Sequence, residues 1–112
     1  MNYQIYKNCD HNILKSFTSM IKYSCNNLDG KFSLSRGASA LGVTEEIIEV
    51  LLEIFQDCDM IIIKSKDTNE YVIEYVSSID ISKAIQSPKY EEFVELMNTI
   101  DDYKNKFMLI DI

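Results

Sequence analysis

Apolar residues recur along this chain with two periods, and the change from one to the other divides it into elements. Ile13, Leu14, Phe17, Met20, Ile21, Ser24, Cys25 and Leu28 return every three or four positions, with Lys15, Ser19, Lys22 and Asn26 on the opposite face. This predicts a first helix, capped by Asp10 and closed by Asn26-Asn27-Leu28-Asp29-Gly30, where glycine suits the left-handed terminal position. Residues 1–9 read as extended, an edge strand or a lead-in, with Tyr3, Ile5 and Cys9 on one side and Tyr6 on the other. Ser33 then caps a short second helix whose Leu34, Ala38 and Leu41 face inward, with Gly37, Ala38 and Ala40 permitting close helix approach. Gly42 supplies a turn, and Thr44 caps a third helix over Thr44–Cys58, with Glu45 and Glu46 in the first turn where the helix dipole favours acids. Ile47, Ile48, Val50, Leu51, Leu52, Ile54, Phe55 and Cys58 make that helix apolar on most sides, leaving Glu46, Glu49, Glu53 and Gln56 as a narrow polar stripe.

The period then shortens to two. Met60–Lys66 and Tyr71–Val76 are rich in Ile, Val and Tyr, and Asp67-Thr68-Asn69-Glu70 is the turn between them. Ser77-Ser78 breaks the second strand. Residues 79–86 predict a short helix capped by Ser78 or Asp80, and Pro88 opens a last helix carrying Tyr90, Phe93, Val94, Met97, Ile100 and Tyr103 or Lys104. Residues 107–112 are apolar enough to dock on the body or to form a strand. Helix, turn, helix and hairpin in this order predict an α+β fold: a winged-helix-like three-helix core over 10–76 with a β-hairpin wing, and a C-terminal helical extension over 79–112. No internal repeat or linker divides residues 1–112, so a single domain is expected. Its core should bury Leu34, Ala38, Leu41, Ile47, Leu51, Ile54, Phe55, Ile61 and Ile63.

Charge changes what such a fold can do. The net charge is −7, and its distribution matters more than its total. Residues 1–36 hold Lys7, Lys15, Lys22, Lys31 and Arg36 against Asp10 and Asp29; residues 37–59 hold six acids and no cation. A helix that reads DNA approaches phosphates, and affinity for them comes from cations. The third helix carries Glu45, Glu46, Glu49, Glu53 and Asp57 with no Lys or Arg, so its outward face repels a phosphate backbone. The candidate nucleic-acid contacts are therefore Lys31 and Arg36 at the start of the second helix and Lys64 and Lys66 on the wing, and lysines on an exposed hairpin also serve as edge protection. Glu46, Glu49 and Glu53 are the candidate protein-interaction residues, complementary to a basic partner surface.

Catalytic constellations are scarce. Cys9, Cys25, Cys58 and the single His11 lack the paired spacing of a closed zinc site, and read as reduced thiols in a cytoplasmic chain. Asp10-His11 is the one acid–imidazole neighbour pair, and a helix cap explains it better than acid–base chemistry. No nucleophile elbow or phosphate loop occurs. Met1-Asn2-Tyr3-Gln4 lacks a signal-peptide pattern, and the longest apolar run, Met60–Ile63, is far too short to span a bilayer. No enzyme activity, cofactor, metal or membrane association is expected.

The run FSLSRGASALGVTEEIIEVLLEIFQDCDMIII resembles the C-terminal region of the single-strand-specific DNA exonuclease RecJ of low-GC Gram-positive bacteria. Downstream, DISKAIQSPKYEE is similar to a segment of that region with an acid, an aliphatic residue, then Ser and Tyr, here Asp80, Ile81, Ser87 and Tyr90. The resemblance covers Lys31 to Glu92, about half the chain. It implies an accessory domain that contacts partner proteins or its own catalytic domains and makes at most weak DNA contact. It transfers no catalytic residue, since Asp10-His11-Asn12 departs from an Asp-His-His triplet. The alternatives are a small winged-helix transcription regulator, dimerising through its first and last helices, and a free-standing protein-binding adaptor.

Overall fold

The computed structural model describes the backbone of residues 2–111 and the side chains of residues 12–100. Eight elements follow in chain order: α1 (Asn2–Asn27), β1 (Lys31–Ser33), α2 (Leu34–Leu41), α3 (Glu45–Asp57), β2 (Ile61–Lys66), β3 (Glu70–Tyr75), α4 (Ile81–Ile85) and α5 (Tyr90–Asp111). The fold is α+β, with an antiparallel sheet of strand order β1-β3-β2.

The expected caps are in place. Ser33 Oγ accepts the Arg36 N–H at the start of α2, Thr44 Oγ1 accepts the Ile47 N–H at the start of α3, and Asp80 accepts the Ser82 N–H at the start of α4. Each satisfies a helix donor that has no partner within the helix. Gly42 ends α2 at φ 69°, and Gly30 stands at φ 82° between α1 and β1. At Gly30 a side chain would also collide with the Ile73 carbonyl of β3, so this position needs glycine for both reasons.

The expectations at both ends are corrected. Residues 2–9 are not extended: α1 begins at Asn2, and Asp10 lies inside it instead of capping it. Neither Gly nor Pro occurs before Gly30, and Ile5, Cys9 and Ile13 continue the four-residue period, so nothing stops the helix from extending backwards. Likewise α5 runs to Asp111, so residues 107–111 belong to a helix and not a strand; no Gly or Pro follows Pro88. Leu28, expected inward, lies past the end of α1 and is 42% exposed. The strand β1 was not expected. It pairs with β3 through Lys31↔Val72, Phe32↔Tyr71 and Ser33↔Glu70.

The core gathers around α3. Ile47, Ile48, Val50, Leu51, Leu52, Ile54 and Phe55 are all buried, so the helix is enclosed on all but its polar stripe. Leu34, Ala38 and Ile61 are buried as expected, and Leu41 and Ile63 are partly buried against the core. Phe17 of α1 sits edge-on between Phe55 and Phe32, with centroid separations of 5.0 and 5.7 Å. Gly37 lets α2 approach closely, since a Cβ there would stand 3.0 Å from the Phe32 ring. Ala84 of α4 and Phe93 and Met97 of α5 join the same core, so α5 covers one flank of α3. Among the described residues, no helix is long and apolar enough to cross a membrane.

Candidate functional site

The acidic stripe of α3 divides into two parts. Glu46 and Glu49 are exposed and make no ion pair among the described residues. Glu53 is committed: the Lys89 ammonium, at the entry to α5, lies 3.1 Å from Glu53 and 3.2 Å from Asp57. Hydrogen bonds to Glu53 and then Asp57 raise the Lys89 pKa above its ordinary value. Glu53 and Asp57 stand four residues apart on one helix face, a spacing that lets one ammonium bridge both. Gln56 is also engaged, its Oε1 accepting the Ile63 N–H at 3.0 Å on β2. The stripe thus staples α3 to the chain at its C-terminal half and leaves Glu45, Glu46 and Glu49 exposed at its N-terminal half.

The aromatic row of the last helix faces inward. Phe93 and Met97 are buried, and Tyr90 packs on Phe93 with centroids 5.6 Å apart. The residues carrying the second half of the resemblance all shape the α4–α5 corner. Asp80 caps α4, Ile81 is partly buried, and Ser87 Oγ accepts the Lys89 N–H.

The four candidate nucleic-acid contacts fall in two places. Lys64 and Lys66 lie on β2 beside the β2–β3 turn. Lys64 pairs with Glu74 at 3.1 Å, and the Lys66 ammonium stands 5.4 Å from the centre of the Tyr71 ring. Lys64 is also the extra residue of a β-bulge, since the register shifts between Ile63 and Ser65. A bulge, two lysines and the Gln56 amide together blunt the free edge of β2. The β2–β3 turn is held down as well. The Leu34 N–H donates to the Asn69 carbonyl, the Ser35 N–H to Asn69 Oδ1, both at 2.9 Å, and Asn69 Nδ2 donates to Ser33 Oγ at 3.2 Å. The turn therefore caps α2 instead of projecting from the body.

Lys31 and Arg36 come together in a groove of about 880 Å³ between α1, β1 and the start of α2. Both are exposed and unpaired among the described residues. Sequence reasoning reached these two cations but missed Tyr23 and Leu28, which line the same groove with 59% and 42% exposure. Tyr23 follows Lys22 on the polar side of α1, a signal that was available. Lys89 was missed too; an isolated cation beside Glu91 and Glu92, with an acid pair at i and i+4 on α3, would have pointed to it.

Cys25 and Cys58 are free thiols, and burial raises both pKa values, with Glu74 adding to it at Cys25 and Asp57 and Asp59 at Cys58. Among the described residues no three His, Cys, Asp or Glu side chains cluster as a metal site. The side chains of Cys9, Asp10 and His11 lie outside the described residues. Compared with protein-family models, curated proteins and solved structures, the chain has no match.

Proposed function

We propose that this chain is a non-catalytic interaction domain of winged-helix form, whose third helix meets protein and not DNA. The observation that carries the reading is the outward face of α3, where Glu45, Glu46 and Glu49 are exposed and no cation accompanies them. The element order α1-β1-α2-α3-β2-β3 with a three-stranded antiparallel sheet supports the winged-helix part. The pinned wing turn and the covering of α3 by α5 support the rest, since both withdraw surface that a DNA-docked module would use. The resemblance of Lys31–Glu92 to the RecJ C-terminal region supports an accessory role beside the catalytic body of a single-strand exonuclease, in repair and recombination.

The test is a paired reversal, Glu46→Lys with Glu49→Lys, which moves the net charge from −7 to −3 because each reversal adds two. Wild-type chain should bind duplex DNA weakly and without sequence preference at physiological salt, and the variant should bind more tightly with a steeper salt dependence. Partner proteins recovered on immobilised wild type should be lost from the variant. Submicromolar, sequence-selective DNA binding by the wild type, or an unchanged partner set, overturns the proposal.

A further inference from the structure

We propose that the free edge of β1 takes up an extended segment of a partner protein as a further strand, lying in the groove between α1, β1 and the start of α2. The pairing pattern of β1 leaves that edge open. The Ile73 N–H donates to the Gly30 carbonyl at 2.8 Å and the Leu34 N–H to the Asn69 carbonyl at 2.9 Å. Bonded pairs alternate along an antiparallel ladder, so with Phe32 opposite Tyr71 the backbone groups of Phe32 also turn to β3. Those of Lys31 and Ser33 turn the other way. The Lys31 N–H meets the Leu28 carbonyl there at 3.1 Å, which leaves the Lys31 carbonyl and the Ser33 N–H facing the groove. One residue of a parallel strand, or the two residues flanking one in an antiparallel strand, supplies a donor for the first and an acceptor for the second.

A second observation points to a ligand at the same place. Ser24 is 5% exposed and lines the groove, and its hydroxyl makes no hydrogen bond among the described residues. Thr18 and Ser87, the other buried polar side chains among them, are both bonded: Thr18 donates to the Leu14 carbonyl and Ser87 accepts the Lys89 N–H. Leaving a buried hydroxyl unbonded is costly. A segment laid against β1 brings main-chain groups that relieve the cost. Met20, Tyr23 and Leu28 make the α1 side of the groove apolar, where a side chain of the segment can seat.

The charge of the lining favours a polypeptide of little net charge. Lys31 and Arg36 are matched by Asp29 and Glu70, so the groove selects neither an acidic nor a basic occupant, and main-chain hydrogen bonds with an apolar anchor carry the recognition. Nucleic-acid affinity rests on an excess of cations, which this lining does not have. A second copy pairing β1 with β1 would bring together two three-residue edges, each flanked by its own α1 and α2. A single extended segment meets no such obstruction. The free edge of β2 is blunted by its bulge and lysines, so β1 is the edge left for strand addition. The groove is separate from the α3 stripe, so failure at one surface leaves the other standing.

The experiment pans a displayed random peptide library on the immobilised full chain. The enriched peptide is then remade as a synthetic series with one backbone nitrogen methylated at a time. Methylation at one internal position, the donor to the Lys31 carbonyl, should lower affinity about fivefold or more, and at the positions on either side of it much less. Bound peptide should slow hydrogen exchange of the Ser33 amide. Ser24→Ala, which puts a better helix former into α1, should bind about threefold to tenfold more weakly and melt no lower than wild type. Affinity should change by less than about twofold between low and physiological salt. Absence of enrichment, a methylated series without a sensitive position, an unprotected Ser33 amide, or equal binding to Ser24→Ala overturns the proposal. So does affinity that falls steeply with salt, an oligothymidylate that binds more tightly than the peptide, or a concentration-dependent dimer that protects the Ser33 amide without peptide.

Discussion

Phe55 is the side chain on which the packing scheme rests, and its truncation tests that scheme directly. Its ring is fully buried and meets Phe17 edge-to-face at 5.0 Å and 74°, while Phe17 meets Phe32 at 5.7 Å and 71°. Burying a phenylalanine removes about 150–250 Å² from water, and at about 25 cal/mol per Å² this is worth about 4–6 kcal/mol. Alanine keeps part of that area, but the surrounding helices cannot collapse fully into the gap. Phe55→Ala should therefore cost about 3–5 kcal/mol. Against a total stability of roughly 5–15 kcal/mol for a domain of this kind, the variant lies near the edge of folding. Urea unfolding followed by far-UV circular dichroism reads the loss as a midpoint shift of roughly 1–5 M, for a dependence of about 1–3 kcal/mol per molar. The ring geometry makes a sharper claim. In a double-mutant cycle of Phe17→Leu and Phe55→Leu, the pair should show a coupling of about 0.5–1.5 kcal/mol. A cost below about 1.5 kcal/mol for Phe55→Ala, or no coupling in the cycle, would show that α1 and α3 do not meet through these rings.

Further outcomes follow from single contacts. Gly30→Ala should destabilise more than Gly42→Ala in the same urea assay: both positions have positive φ, but a Cβ at Gly30 meets the Ile73 carbonyl and at Gly42 meets open space, so Gly42→Ala should cost only about 1–2 kcal/mol. Asn69→Ala should cost about 1–2 kcal/mol, as loss of a helix cap does, and should speed hydrogen exchange at the Ser35 amide, which donates to its side chain. Cys25 and Cys58 have raised pKa values, so both should alkylate with iodoacetamide more slowly at neutral pH in the folded chain than in urea, read site by site by mass spectrometry. The raised pKa of Lys89 means that its tie to Glu53 and Asp57 is fully present below the ordinary lysine value of 10.5 and is lost as pH rises through the folded value. Lys89→Met should therefore flatten the alkaline limb of a stability–pH profile.

What could be read in advance was what the chain decides locally. Ser33, Thr44 and Gly42 act within four residues of their own backbone, and the two periods of α3 and the hairpin need no distant partner. β1 escaped because three residues are too few for alternation to register, and its pairing residues on β3 lie about forty positions away. The start of α1 escaped for the opposite reason: a short alternation of Tyr3, Ile5 and Cys9 fits a strand, while Ile5, Cys9 and Ile13 fit a helix, and the absence of any breaker decides between them. At the surface, Lys31 and Arg36 were found from their sign, but the groove that joins them to Tyr23 and Leu28 is made by bringing the end of α1 against the start of α2. Asn69 reads as an ordinary turn residue until Ser33 and Ser35, more than thirty positions earlier, are placed beside it.

The charge of α3 and its burial are linked, and the link bears on the proposed role. A helix with seven buried apolar residues has little circumference left, so every polar position on it must serve the narrow strip that remains. Glu53 and Asp57 use that strip to hold Lys89, and Lys89 introduces α5, whose Phe93 and Met97 close the flank of α3. Reversing these acids to suit a phosphate backbone would set like charges against Lys89 and loosen the helix that covers the core. In the proposed reading, Glu49 and Glu46 lie one and two turns before Glu53 and carry no such duty, so they are the positions where a partner can be chosen without disturbing the fold. Glu46→Gln with Glu49→Gln should then leave the unfolding free energy within about 0.5 kcal/mol of wild type, as exposed substitutions generally do, while Glu53→Gln should weaken the hold on Lys89 and raise exchange at the start of α5. If the first pair destabilised the chain as much as the second change, the separation of a stapled half and a presenting half of α3 would be wrong.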